Sequence, residues 1–213
     1  GTVYFGSENN YVYALYPGNG SIKPGWPYNT GGTVRSSPCL GVDGTVYIGS
    51  QNVGIHAILS NGTAKPGWNS ATSGAIGSVW SGPSVSEDGF IYCAEGWSGG
   101  GGGFYALYET NGTQAPVFDH DNNASTPKQG FFPSSTGVMA PAVMGSEGTL
   151  YGADRGGRIY AMHTDSKSPA PSAWPKFRQN RRNTGRVEAP PAPEDQFTYY
   201  GALSDTDTNN TNG

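Results

Sequence analysis

Two stretches carry oxygen-bearing side chains at the alternation a hard cation requires. Asp119-His120-Asp121-Asn122-Asn123-Ala124-Ser125 places Asp119, Asp121 and Asn123 at every second position, and Asp205-Thr206-Asp207-Thr208-Asn209 repeats the pattern with Asp205, Asp207 and Asn209. Calcium gathers several carboxylate and carbonyl oxygens, and such alternation folds them to one side of a loop. The first stretch lacks a glycine at its sixth position and has Gly130 where a closing acid would stand at the twelfth. The second reaches Gly213 without completing a set. A solvated insertion loop and a plain polar tail are the competing readings. Calcium is the one cofactor these residues point to.

A second chemistry is modification. Asn19, Asn61, Asn111, Asn123 and Asn209 each begin an Asn-x-Ser/Thr sequon. The first three lie in the repeated turn Asn-Gly-Ser/Thr, an exposed place for a glycan. The same residues have a simpler use, because Asn-Gly is the preferred tight hairpin turn. Glycans are therefore expected as ligands of the surface only if the chain passes through a glycosylating compartment.

The remaining titratable residues do not assemble into a catalytic order. His56, His120 and His163 fall in different segments, and no Ser-His-Asp order or His-Glu metal spacing connects them. His56 stands where Tyr13, Tyr105 and Tyr160 stand in neighbouring segments, and His163 where Tyr16 and Tyr108 do. Both read as structural. Asp43, Glu87, Asp88 and Glu147 precede a repeated glycine and read as turn formers. The tract Gly99 to Gly103 is followed by no helical pattern or lysine, so it reads as a flexible insertion and not as a phosphate cradle. Lys176, Arg178, Arg181, Arg182 and Arg186 form the one basic run, expected as a solvated face in preference to a contact for a carboxylate-rich partner surface. No catalytic residue is assigned.

The elements that would position these residues are repeats. Gly1-Thr2-Val3-Tyr4-Phe5-Gly6-Ser7 recurs as Gly44-Thr45-Val46-Tyr47-Ile48-Gly49-Ser50, then as Gly89-Phe90-Ile91-Tyr92-Cys93-Ala94 and Gly148-Thr149-Leu150-Tyr151-Gly152-Ala153. From Tyr4, Tyr47 and Tyr151 an alanine (Ala14, Ala57, Ala161) follows at one constant interval, and from Tyr92 the corresponding Ala106 follows at a longer one. An aromatic residue (Trp26, Trp68, Phe118) lies seven beyond the asparagine of each Asn-Gly turn, and a proline precedes each restart. Periods of about 40–50 residues built from short strands mark a propeller or a related array. Four strands are expected per block, with the segment from Arg35 to Val42 closing the first. Blocks start near residues 1, 44, 89 and 148 and fill 1–186. Residues 187–203 read as a degenerate start of a fifth block, and 204–213 as a polar tail.

Composition agrees with an all-β chain of short strands and tight turns. Among 213 residues there are 34 Gly, 16 Pro and 26 aromatic residues, and charged residues make up only 13%. A net charge of −4 without a long basic cluster argues against a nucleic-acid partner. No apolar run approaches the roughly 18–20 residues that cross a bilayer. Cys39 and Cys93 have no CxxC spacing and could pair or stand as separate buried thiols. The absence of an initiating methionine and of a leader suggests a start after processing or a cut within a longer protein.

Asp43 to Ser50, Tyr11 to Tyr16 and Trp26 together resemble the quinoprotein-type (PQQ-like) β-propeller repeat, which runs roughly D-G-T-V-Y-x-G-S, x-L-Y-A-L, a Thr-Gly turn and a tryptophan. The segment from Trp174 to Arg186 resembles one found where such propellers begin or end in secreted bacterial proteins. The resemblance implies an all-β, β-propeller-type array of four-stranded blades, about four plus a partial fifth. The family's quinone-binding dehydrogenases often carry a vicinal disulfide beside the cofactor, which Cys39 and Cys93 do not form. The expectation is a non-enzymatic extracellular or cell-envelope binding or scaffold module, with a protein partner, glycans or copies of itself as ligands. A structural subunit of an extracellular assembly is the second expectation, and a fragment of a quinone-dependent dehydrogenase the third.

Overall fold

A computed structural model describes residues 1–51, 53–68, 76–96, 102–118, 128–134, 136–145, 148–173 and 175–176. These form thirteen short strands and no helix, gathered into four antiparallel sheets that follow one another along the chain. Sheet I holds β1 (Val3–Gly6), β2 (Tyr11–Leu15) and β3 (Tyr28–Asn29). Sheet II holds β4 (Cys39–Leu40), β5 (Val46–Ser50) and β6 (Gly54–Ile58). Sheet III holds β7 (Ser84–Val85), β8 (Phe90–Ala94), β9 (Gly102–Tyr108) and β10 (Phe131–Ser134), and sheet IV holds β11 (Val143–Met144), β12 (Thr149–Ala153) and β13 (Ile159–His163).

The tyrosine-to-alanine spacing in the sequence is hairpin register. Tyr4 faces Ala14, Tyr47 faces Ala57, Tyr92 faces Ala106 and Tyr151 faces Ala161 across the central hairpins. A small residue thus stands opposite each ring. The extra residues of the third block fall within the β8–β9 connection, so the register survives them. Gly102 and Gly103, read from sequence as part of a flexible insertion, instead open β9. There a Cβ on Gly103 would overlap the Phe131 ring and sit 2.5 Å from the Phe132 carbonyl oxygen, so glycine permits the β9–β10 approach.

The block boundary is displaced by one strand from the sequence expectation. Cys39–Leu40 pairs with Val46 and Tyr47 of the following hairpin, not with sheet I. Ser84–Val85 and Val143–Met144 do the same, opposite Tyr92 and Ile91 and opposite Tyr151 and Leu150. The turn ending at Gly44 is a tight hairpin loop, with Gly41 bonded to Gly44 and Thr45, so it joins strands within a sheet and does not separate two sheets. Sheet I accordingly begins at the strand that is second in sheets II, III and IV. Among the described residues β1 pairs with β2 alone, where the equivalent strands β5, β8 and β12 also pair with a preceding short strand.

Alternating side chains give each central hairpin two faces. One face carries Tyr, Ala and an apolar residue: Tyr4, Ala14 and Val12 in sheet I, Tyr47, Ala57 and Ile55 in sheet II, Tyr92, Ala106 and Phe104 in sheet III. The opposite face carries Val46, Ile48 and Ile58 in sheet II, Ile91, Cys93 and Leu107 in sheet III, Leu150 and Met162 in sheet IV. The first face of each sheet packs on the opposite face of the next, giving three apolar cores: sheet I on II, II on III, III on IV. Burying one such side chain contributes about 1.5–3 kcal/mol.

A backbone joint recurs beside each core. The Val34 amide donates to the Ser7 carbonyl of sheet I, while the Gln51 amide of sheet II donates to Thr33 (3.3 and 2.9 Å). Val79 donates to Ser50 as Gly96 donates to Ser78, and Val138 donates to Glu95 as Arg155 donates to Gly137. A dipeptide between sheets thus stitches each pair. Val34 packs where a Cβ on Gly6 would stand, and Val79 where one on Gly49 would. Ser36 and Ser81, two residues past each valine, reach the strand of the following sheet: Ser36 Oγ bonds the backbone of Gly49, and Ser81 Oγ donates to the Ala94 carbonyl.

After β13 the chain returns across the inner strands. The Val85 amide donates to the Pro175 carbonyl, Ala170 donates to Val85 and Glu87 donates to Ser168 (2.8, 2.8 and 3.0 Å). Ser172 Oγ donates to the Leu40 carbonyl of β4 at 2.5 Å. Residues 168–173 with Pro175 therefore form a strap along the inner edge of β7 that touches its neighbour β4. Lys176, expected on a solvated basic face, is 1% exposed at the end of this strap, and burial lowers its pKa. The rest of the basic run (Arg178, Arg181, Arg182 and Arg186), the expected fifth-block start at 187–203 and the polar tail at 204–213 lie outside the described residues.

Candidate functional site

Three of the five sequons fall on described residues, and all three adopt one geometry. Asn61 Oδ1 accepts from the Thr63 amide and hydroxyl at 3.1 and 2.7 Å, Asn111 Oδ1 from those of Thr113 at 3.0 and 2.8 Å, and Asn19 Oδ1 from those of Ser21 at 3.1 and 2.9 Å. The intervening glycines Gly20, Gly62 and Gly112 have φ of 69°, 84° and 75°, the left-handed turn conformation that glycine adopts without a Cβ clash. With Oδ1 bound to the turn, the solvent-facing end of each exposed amide is Nδ2, the atom that takes a glycan.

The turns differ in what lies beneath them. Gly62 packs against the Gly25 carbonyl of sheet I, and Trp26 Nε1 donates to the Ser60 carbonyl at 3.2 Å. Gly112 lies under the Trp68 ring. Each tryptophan thus seals its own sheet against the Asn-Gly turn of the next. At the Asn19 turn nothing among the described residues lies within 4 Å of a Cβ on Gly20. Asn123 and Asn209 lie outside the described residues, as do all six cation candidates, Asp119, Asp121, Asn123, Asp205, Asp207 and Asn209. Among the described residues no cluster of three or more His, Cys, Asp or Glu side chains forms a metal site.

A row of polar pairs closes the mouths of the central hairpins. Ser50 Oγ lies 2.9 Å from His56 Nε2, Tyr105 OH donates to Glu95 Oε2 at 3.1 Å, and Tyr160 OH donates to Asp154 Oδ2 at 2.8 Å. These are equivalent positions in sheets II, III and IV. Burial lowers the His56 pKa from 6.5 to about 4, which keeps the ring neutral, and the Tyr28 ring stands edge-on to it at 5.8 Å. Burial raises the Asp154 carboxyl less than its hydrogen bonds lower it. The Arg158 amide, Tyr160 and Ser134 hold it down to about 2.

No family model and no curated protein matches this chain.

Between sheets II and III lies one further ionisable group that sequence motifs do not reveal, because Tyr47 and Glu109 come from separate blocks. Tyr47 OH donates to Glu109 Oε1 at 3.2 Å, while Lys65 Nζ donates to Tyr47 OH and to the Glu109 carbonyl at 3.0 and 3.1 Å. Asp43 is 3.6 Å from the same ammonium. Burial and the facing carboxylates push the Tyr47 hydroxyl far above its ordinary range, and burial raises Glu109. The phenol is a neutral tie between sheets and not a base.

Cys39 and Cys93 are both free and buried in the core between sheets II and III. Burial raises both thiols, so neither offers a thiolate nucleophile at neutral pH.

A cavity beside β1 has a volume of about 290 Å³ and is lined by Thr2, Val3, Tyr4, Pro38 and Leu40. It sits between β1 and β4. Its lining is apolar apart from Thr2, so it suits an extended apolar segment more than a charged small molecule.

Proposed function

We propose that this chain is a non-enzymatic, propeller-type binding and scaffold module of the extracellular space or cell envelope. The observation that carries the reading is how its ionisable side chains are used. Glu109, Lys65 and Tyr47 bind one another across two sheets, Glu95 and Asp154 accept from tyrosines of their own hairpins, and His56 is held neutral against Ser50. Groups spent on joining strands are not aimed at a shared point where a substrate could react. The inner strands β4 and β7 lie side by side, and the four sheets stack face to face in sequence order, which favours blades around a common axis. Three sequons on exposed turns favour a secreted location.

The test is reconstitution of the full chain with pyrroloquinoline quinone and calcium, followed by a dye-linked dehydrogenase assay on alcohols and sugars. No turnover above the chain-free control is expected. Turnover that depends on the quinone would refute the scaffold reading in favour of a dehydrogenase fragment.

A second reading, a structural subunit of a larger extracellular assembly, is favoured by the outer faces of sheets I and IV. Val3 and Phe5 are 47% and 39% exposed, and Tyr151 and Ile159 are 48% and 83% exposed.

A further inference from the structure

The repeat makes the two outer faces comparable with the three interfaces already formed inside the chain. On sheet IV the outward set is Tyr151, Ala161 and Ile159, at the positions of Tyr4, Ala14 and Val12, of Tyr47, Ala57 and Ile55, and of Tyr92, Ala106 and Phe104. In those three sheets the alanines and the Val12, Ile55 and Phe104 side chains are buried, because each set is covered by the next sheet. On sheet I the outward set is Val3, Phe5 and Leu15, at the positions of Val46, Ile48 and Ile58 and of Ile91, Cys93 and Leu107. Those six are buried under the preceding sheet. Among the described residues, sheet IV therefore presents the first half of an interface the chain builds three times, and sheet I presents the second half. Val46 is 0% exposed where Val3 is 47% exposed, and Ile55 is 0% exposed where Ile159 is 83% exposed.

We propose that copies of this chain associate head to tail, the Tyr151–Ile159 face of one packing on the Val3–Phe5 face of another in the manner of consecutive sheets. This deepens the subunit reading above and leaves the scaffold reading standing if it fails. The occupant is a second copy because the required partner is a sheet of this same repeat. Tyr151 needs a facing surface of the Val-Phe-Leu kind, and the outward face of sheet I supplies it. Val3 and Phe5 need a tyrosine beside a small residue and a projecting apolar side chain, which is what sheet IV offers. The two faces differ from each other, so contact is heterologous: it joins unlike ends and closes only when the rotations sum to a ring. Neither outer face carries a charged residue in the sets named, so no like-charge repulsion opposes their approach.

The test uses residues 1–213 and two surface variants of them. One blocks the head face (Val3→Lys with Phe5→Lys), the other the tail face (Tyr151→Lys with Ile159→Lys). All four side chains are substantially solvent-exposed, so each variant keeps its buried core, and far-ultraviolet circular dichroism verifies this. Light scattering at micromolar concentration is expected to give the wild-type chain a mass at least twice the 22.3 kDa of one copy. Each variant alone is expected to run as a monomer. An equimolar mixture of the two is expected to recover a two-copy species, because one intact head still meets one intact tail. A monomeric wild-type chain overturns the proposal. So does a variant that still self-associates, which would reveal contact between like faces, and so does a mixture that stays monomeric.

Discussion

Acidification should reveal the cost of holding His56 neutral. In the unfolded chain an imidazole takes its proton at about 6.5, whereas in the native sheet burial lowers that value to about 4. Between these values the unfolded state binds the extra proton and the native state does not, so stability falls as the pH drops from 6.5 to 4. Above 6.5 both states are neutral and the full stability is present. The interval of about 2.5 pH units, at about 1.36 kcal/mol each, corresponds to a loss of about 3 kcal/mol. Ser50 Oγ and the edge of the Tyr28 ring face the imidazole, and neither offers a counter-charge. Glu109, whose carboxyl burial raises, acts in the opposite sense by taking up its proton earlier in the native state. The contribution of His56 must therefore be isolated by difference. The comparison is His56→Tyr, which places at this position the residue found at Tyr13, Tyr105 and Tyr160. Urea midpoints of both proteins from about pH 7.5 down to about pH 4 supply the measurement. The wild-type chain should lose about 3 kcal/mol more than the variant across that range. Parallel curves would refute the argument, as would a His56 signal, identified by its loss in His56→Tyr, that titrates near 6.5 in the native protein.

Other outcomes follow from the same contacts. Gly49→Ala drives a methyl group into Val79 and should destabilise the fold by about 1–3 kcal/mol in urea unfolding, whereas Gly44→Ser, where nothing lies within 4 Å, should act only through its positive φ. Ser36→Ala removes the hydroxyl that bonds the Gly49 amide and carbonyl and should cost about 1–3 kcal/mol by chemical denaturation. Cys39 and Cys93 should resist a thiol reagent in the native state and react only at the rate of unfolding; fast labelling in buffer would contradict their burial. If the chain is produced in a glycosylating host, intact mass should show glycans on the Asn19, Asn61 and Asn111 turns, and a mass of 22.3 kDa would exclude them.

The repeat is legible because it is written in spacing. A tyrosine and an alanine held at one short, constant interval face each other across a tight hairpin, and that interval carries the register through sheets I, II and IV. The frame of the sheets is less legible. The segment ending at Leu40 looks like the close of one block because it precedes the conspicuous Asp43-Gly44, yet hydrogen bonding assigns it to the block that follows. The dipeptides ending in Val34, Val79 and Val138 give little signal for a related reason. Each is short, has no strand pattern, and shares with the others a valine, a glycine nearby and a proline downstream. Lys176 reads as solvated because charge runs usually are, whereas here the strap carries the lysine stem inward. The Tyr47–Lys65–Glu109 contact has no motif at all, since it depends on how two sheets meet. The fold-level reading therefore rests on local periodicity, while everything that joins one sheet to another is nonlocal.

The dipeptide joints have a consequence for how such a chain can change over generations. Every junction between sheets uses the same two backbone bonds, and the first two share a valine-on-glycine contact, at Val34 with Gly6 and at Val79 with Gly49. Backbone bonds carry no side-chain identity, so a duplicated block of about 45 residues finds a joint already matched to it at both ends. Unequal recombination between blocks would then lengthen or shorten the array without creating a novel surface. The length of the array becomes a heritable variable that drifts more easily than the sequence of any one block.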